Sequence, residues 1–218
     1  MGGRRRWESP AFWAGWLALF VALVSPLDAL GGALFSAHMT QHEVLMLVAA
    51  PLLVLGRPLA PFLLALPVKL RRRLTDAGKA ASLQRGWRLL VSPAAAWLIH
   101  AAALWAWHAP VLFQATLESE WIHAAQHLSF LLSALLFCEA LIFDHGGRGG
   151  RMGYGAAVIY VFTTAVHTSL LGALLTFSQT LWYPVYQSTT AAWGLTPIED
   201  QQLGGLIMWV PAGMVYVA

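Results

Sequence analysis

His38, Met39, Thr40, Gln41, His42 and Glu43 open a long apolar run that continues to Gly56. In a helix, His38 and His42 lie at i and i+4 on one face, with Met46 one turn further along. Two imidazoles at that spacing can share a metal ion. Polar side chains in an otherwise apolar helix are costly to bury, so they mark a functional site by default. A second pair, His123 and His127, repeats the spacing in a separate apolar segment. Only about 0.3 such pairs are expected by chance in a chain of this length and histidine content, so two pairs carry weight that one would not. The competing reading is a hydrogen-bonded packing network of histidines.

The elements that position these residues follow from composition. The chain is 58% hydrophobic and 11% charged, against roughly a quarter charged in a soluble domain. That is an all-α integral membrane protein. Its 218 residues form one domain, a polytopic transmembrane helix bundle of about six spans at about 20 residues each. The expected spans are 10–27, 38–56, 89–109, 120–143, 153–177 and 201–218, with Pro51 kinking the second. Arg4, Arg5 and Arg6 before the first run are a signal-peptide feature, but no small-x-small cleavage site follows, so the run is read as an uncleaved span. The last span is only just long enough and lacks a polar flank, which leaves room for the chain to continue.

Charge fixes an orientation. All 13 Lys and Arg fall on one side of this topology, at the N-terminus, in 57–88, and at Arg148 and Arg151. The loops 27–37, 110–119 and 178–200 contain none and carry Asp28, Glu118, Glu199 and Asp200. By the positive-inside rule both termini are cytoplasmic. Segment 57–88 interleaves Lys69, Arg71, Arg72, Arg73, Lys79 and Arg85 with leucines and is broken by Pro58, Pro61 and Pro67. It is expected to lie on the anionic lipid leaflet as an amphipathic helix; the alternative is a basic surface for a protein partner. The net charge of +3 is thereby accounted for by membrane orientation, and no nucleic-acid partner is implied. Trp97, Trp105, Trp107, Trp121, Trp182 and Trp193 fit an interfacial aromatic belt.

At 1.5 Å per residue, His42 lies about 6 Å below His38, His123 and His127 about 5 and 10 Å in, His100 and Met208 about 12 Å, and His167 about 15 Å. These depths predict one ion held by His42, His123, His127 and His167, with His38, His100, Met39 and Met208 as further candidate ligands. His145, in an inner loop, is left out. Imidazole suits copper, zinc, iron and nickel, and thioethers lean toward Cu(I). His42 and Glu43 begin an HExxH zinc motif, but Val44, Leu45 and Met46 follow and the second histidine is missing. The single Cys138 excludes an internal disulfide and any CxxC motif. There is no Gly-rich phosphate loop, nucleophile elbow or Ser/His/Asp arrangement, so no enzyme is expected.

Five stretches carry a family resemblance. His38-Met39-Thr40-Gln41-His42 is followed by Ala49-Ala50-Pro51-Leu52-Leu53-Val54-Leu55-Gly56-Arg57-Pro58. Ala165-Val166-His167-Thr168 and Tyr183-Pro184-Val185-Tyr186 come next, then Asp200-Gln201-Gln202-Leu203-Gly204-Gly205-Leu206-Ile207-Met208-Trp209-Val210-Pro211. Together they resemble the CtaG family of bacterial cytochrome c oxidase assembly factors, the polytopic kind associated with caa-type oxidases. The resemblance covers nearly the whole chain. It implies a multi-pass protein of the bacterial plasma membrane that helps build the oxidase, with an oxidase subunit as partner and Cu(I) as cargo taken from the periplasmic side. Two other readings of the histidines stay open at this point: axial ligation of a b-type haem, and a His-lined proton or solute pathway.

Overall fold

The computed structural model describes residues 6–57, 59–143 and 152–217, and all of its regular secondary structure is helical. Arg4, Arg5, Pro58, His145, Arg148 and Arg151 lie outside the described residues. Eleven helices are used here: α1 Glu8–Val24, α2 Pro26–Gly31, α3 Phe35–Gly56, α4 Leu59–Ala65, α5 Val68–Gly78, α6 Ala81–Leu90, α7 Pro93–His108, α8 Pro110–Glu118, α9 Glu120–Phe143, α10 Tyr154–Phe177 and α11 Pro197–Val217. Helices α3, α9 and α10 are long and apolar enough to cross a membrane. The span expected over 89–109 falls mainly on α7, and α6 before it meets α7 at a bend of 62°. Ser92 and Pro93 explain the break, because proline starts a helix readily and holds the residue before it out of α geometry. Helix α1 is apolar but has 17 residues, and α11 carries Pro211 in its interior.

Helix α3 is the axis of the bundle. Its second half packs on α1, its first half on α11, and α9 packs on its middle and second half. Residues Val44–Ala49 form a π-helical stretch just before Pro51. A proline ring clashes with the carbonyl four residues back, and widening that turn relieves the clash; this is the form the expected kink takes. Close approach depends on glycine. A Cβ on Gly56 would come within 2.8 Å of the Phe12 backbone, and one on Gly205 within 2.7 Å of Gly172 O. The first contact seats α1 on α3 and the second seats α11 on α10, by the small-residue packing that membrane helices use where no hydrophobic drive exists between them. At the far end of α3, the Arg57 guanidinium stacks over the Phe143 ring at 4.2 Å, tying α3 to α9.

Helices α5 and α6 take the place of the single amphipathic helix expected in 57–88. Neither has a buried residue, and Leu70, Leu74, Leu83 and Trp87 are exposed beside the basic side chains.

Candidate metal centre

Three chain segments bring histidines to one end of the bundle, the first turns of α3 and α9 and the last turn of α7, and the segment between α10 and α11 closes over them. Helix α3 begins without a side-chain cap of its own. Its cap comes from α11, where the buried Asp200 carboxylate accepts from Phe35 N at 2.6 Å, Ser36 N at 3.1 Å and Ser36 Oγ at 2.5 Å. A carboxylate there satisfies orphan N–H groups and faces the positive end of the helix dipole. Helix α11 starts with its own capping box, in which Thr196 N and Oγ1 donate to Glu199 Oε2 and Glu199 N donates to Thr196 Oγ1. These bonds hold the exposed Glu199 carboxyl below its usual range. Gln201 accepts from Trp182 N and donates to Thr180 O, and Gln202 donates to Ser178 O, so the segment after α10 is pinned to the start of α11.

That segment supplies two tyrosines. Tyr183 donates its hydroxyl to His108 O at 2.8 Å and stacks on Phe35. Tyr186 donates to Gly31 O at 2.9 Å, and its oxygen lies 3.4 Å from His38 Nδ1. Because the Tyr186 hydrogen is spent on Gly31, its oxygen is free to accept from His38. A proton on Nδ1 leaves Nε2 with its lone pair. Gln126 Oε1 stands 3.1 Å from that Nε2; an amide oxygen only accepts, so this contact is a hydrogen bond in the other tautomer, with the proton on Nε2, and an ion at Nε2 requires Gln126 to turn away.

Around His38 the rings are close. The centroid of His38 is 4.4 Å from His42, 5.1 Å from His123 and 5.8 Å from His127; His123 and His127 are 4.2 Å apart, and His42 is 5.4 Å from His127 and 6.2 Å from His108. One ligand atom from each of His38, His123 and His127 falls within 4.8 Å of the others. His38, His42, His108 and His127 are buried, and His123 is half-buried. His108 Nδ1 donates to Leu104 O at 2.7 Å, which leaves its Nε2 as a bare lone pair. That atom, both ring nitrogens of His42, and Nε2 of His123 and His127 are buried without a hydrogen-bond partner. Unpartnered buried polar atoms are costly, and this many imidazole lone pairs aimed into one region form a ligand field for a soft or borderline cation.

Four of the candidates from the sequence, His167, Met39, His100 and Met208, lie apart from this group of rings. His167 does not join this group: it packs edge-on against Trp97 at 5.3 Å and makes no ring contact with another histidine among the described residues. Depth alone had placed it with His42, but α10 packs chiefly on α11. Met39 is buried in an apolar cluster with Phe35, Phe113, Tyr183 and Tyr186, and its Cγ lies 3.3 Å from where a Gly204 Cβ would stand. His100 and Met208 meet each other at a deeper cavity, described below. His108, not among the candidates from the sequence, lies beside His42 at 6.2 Å between ring centroids; the signal available was its place in the last turn of a span that ends where the two histidine pairs begin.

A helical membrane protein with a buried histidine cluster at one end of its bundle is the class that this fold and site define. The chain belongs to the cytochrome c oxidase caa3 assembly factor family (Caa3_CtaG), whose family model matches residues 2–218. Uncharacterized proteins of Mycobacterium bovis and Mycobacterium tuberculosis are each 32% identical over 216 residues, and one of Mycobacterium leprae is 30% identical over 230 residues. Each match covers 93% of this chain and 32% of the relative, so the chain spans about a third of the length of these relatives. No solved structure matches.

Proposed function

We propose that the chain receives Cu(I) at the cluster of His38, His123 and His127, with His42 and His108 as adjoining ligands, and passes it to a cytochrome c oxidase subunit during assembly. The observation that supports this reading is the convergence of three imidazoles within 4.8 Å, with Nε2 of His123 and of His127 lacking a hydrogen-bond partner. Neutral nitrogen donors in an apolar surrounding favour a singly charged ion over a doubly charged one, because less charge is left uncompensated. The half-buried His123 supplies an exposed edge through which the ion exchanges. The role is that of a carrier, with no bond in a substrate made or broken. A strain lacking the chain is expected to accumulate oxidase depleted in copper, restored by the wild-type chain and not by one carrying His123→Ala and His127→Ala. Oxidase with full copper content in the absence of the chain would sink the reading.

The cluster lies on the periplasmic side of a bacterial plasma membrane in this proposal, with six crossings and α5 and α6 lying on anionic lipid at the cytoplasmic face. The one-sided distribution of Lys and Arg supports that orientation. An impermeant thiol reagent is expected to label cysteines placed at Ser119 or Ser188 from outside intact cells, and to miss one placed at Ala80. Labelling at Ala80 from outside would reverse the orientation.

A further inference from the structure

Below the histidine cluster, between α3, α7, α10 and α11, is a cavity of about 10 Å³ lined by Glu43, Met46, His100, Thr168 and Met208 together with three leucines. Its size admits one water or one ion and no organic ligand. Glu43 Oε2 is buried there with no hydrogen-bond partner. A carboxyl group in an apolar interior is paired with a cation or kept neutral by a proton. His100 is already set for coordination. Ser133 Oγ donates its only hydrogen to Phe130 O, so the 3.1 Å contact between His100 Nδ1 and Ser133 Oγ has the imidazole N–H as donor. The lone pair is therefore on Nε2, the arrangement in which a metal-binding histidine is oriented through its other nitrogen. Met46 and Met208 are both buried, and each offers a thioether.

We infer that this cavity is a second Cu(I) site, distinct from the histidine cluster and formed by Glu43, His100, Met46 and Met208. One carboxylate, one imidazole and two thioethers are a soft donor set with a single negative charge. With a singly charged ion that site is neutral overall, which a low-dielectric interior strongly favours; a doubly charged ion would leave a net charge behind. Helix α3 contributes to both sites from adjacent positions, His42 above and Glu43 below, and the π-helical stretch from Val44 to Ala49 begins at that junction. An ion at the upper cluster and one at the lower cavity would thus be held by a single helix.

The inference takes its ion from the proposed function but stands on different residues. Full-length chain in lipid nanodiscs is titrated with Cu(I) against a chromophoric competitor, with X-ray absorption at the copper edge on the same samples. Wild type is expected to bind two ions, with sulfur in the average shell. Glu43→Gln, and separately Met208→Leu with His100→Gln, should each bind one ion with a nitrogen-only shell. The variant with His38→Ala, His123→Ala and His127→Ala should also bind one, with the sulfur signal enriched. One ion in wild type that is lost in the triple histidine variant and kept in Glu43→Gln overturns the second site and leaves the first standing. One ion in wild type that is lost in Glu43→Gln and kept in the triple variant upholds this site and removes the proposed upper one. No bound copper in monodisperse wild type overturns both.

Discussion

Replacing His127 by alanine is expected to lower Cu(I) affinity at the proposed histidine site by about 100-fold, while His167→Ala is expected to leave that affinity unchanged. Removing even an outer-shell partner of a ligand costs 10 to about 100-fold in affinity, and a direct ligand no less. His127 lies within contact of His38, His42 and His123, and its Nε2 has no competing hydrogen bond to lose. The substitution therefore removes a donor without breaking a structural bond, and the protein should still accumulate. His167 is the informative control, because helix arithmetic put it at similar depth and the fold turns it to Trp97. Competition titration on the two purified variants measures the difference. Equal affinities in the two would return these histidines to the packing network.

Asp200→Ala is expected to be the most damaging single change outside the ligands. The carboxylate is fully buried and accepts three hydrogen bonds from the first turn of α3. Truncation strands two backbone N–H groups and a hydroxyl at a helix N-terminus. Unsatisfied buried donors cost about 1 to 3 kcal/mol each, so the total loss is on the order of 3 kcal/mol after local rearrangement. His38 and His42 sit in the next two turns, so fraying there also displaces two imidazoles of the cluster. The variant should melt earlier in detergent and bind Cu(I) more weakly, with Asp200→Asn intermediate because one acceptor oxygen survives. Thermal midpoint and copper affinity both equal to wild type would show that α3 is held in place by other contacts.

Asp200 also shows where legibility ended. The sequence placed it in a loop beside Gln201 and Gln202 and attached it to the family resemblance without a role. Its role is a contact between residues 164 positions apart, and nothing local in either segment announces it. The same holds for Tyr186, which reaches His38 from the other side.

What the sequence determined by itself was the class of protein and the two histidine pairs of the candidate site. Apolar length with sparse charge permits only helices in a membrane, since each backbone group must be satisfied within its own segment. Spacing at i and i+4 placed His38 with His42 and His123 with His127, because that periodicity is a property of the helix alone. Rise per residue gave depth along the axis. Azimuth was left to the tertiary structure: which way a helix is rotated depends on what packs against it. The Gly205 contact draws α11 onto α10, His167 turns to Trp97, and His108 enters the cluster. The same rotations bring Glu43, His100 and Met208 to one cavity, a meeting of three helices that no single stretch of the chain encodes.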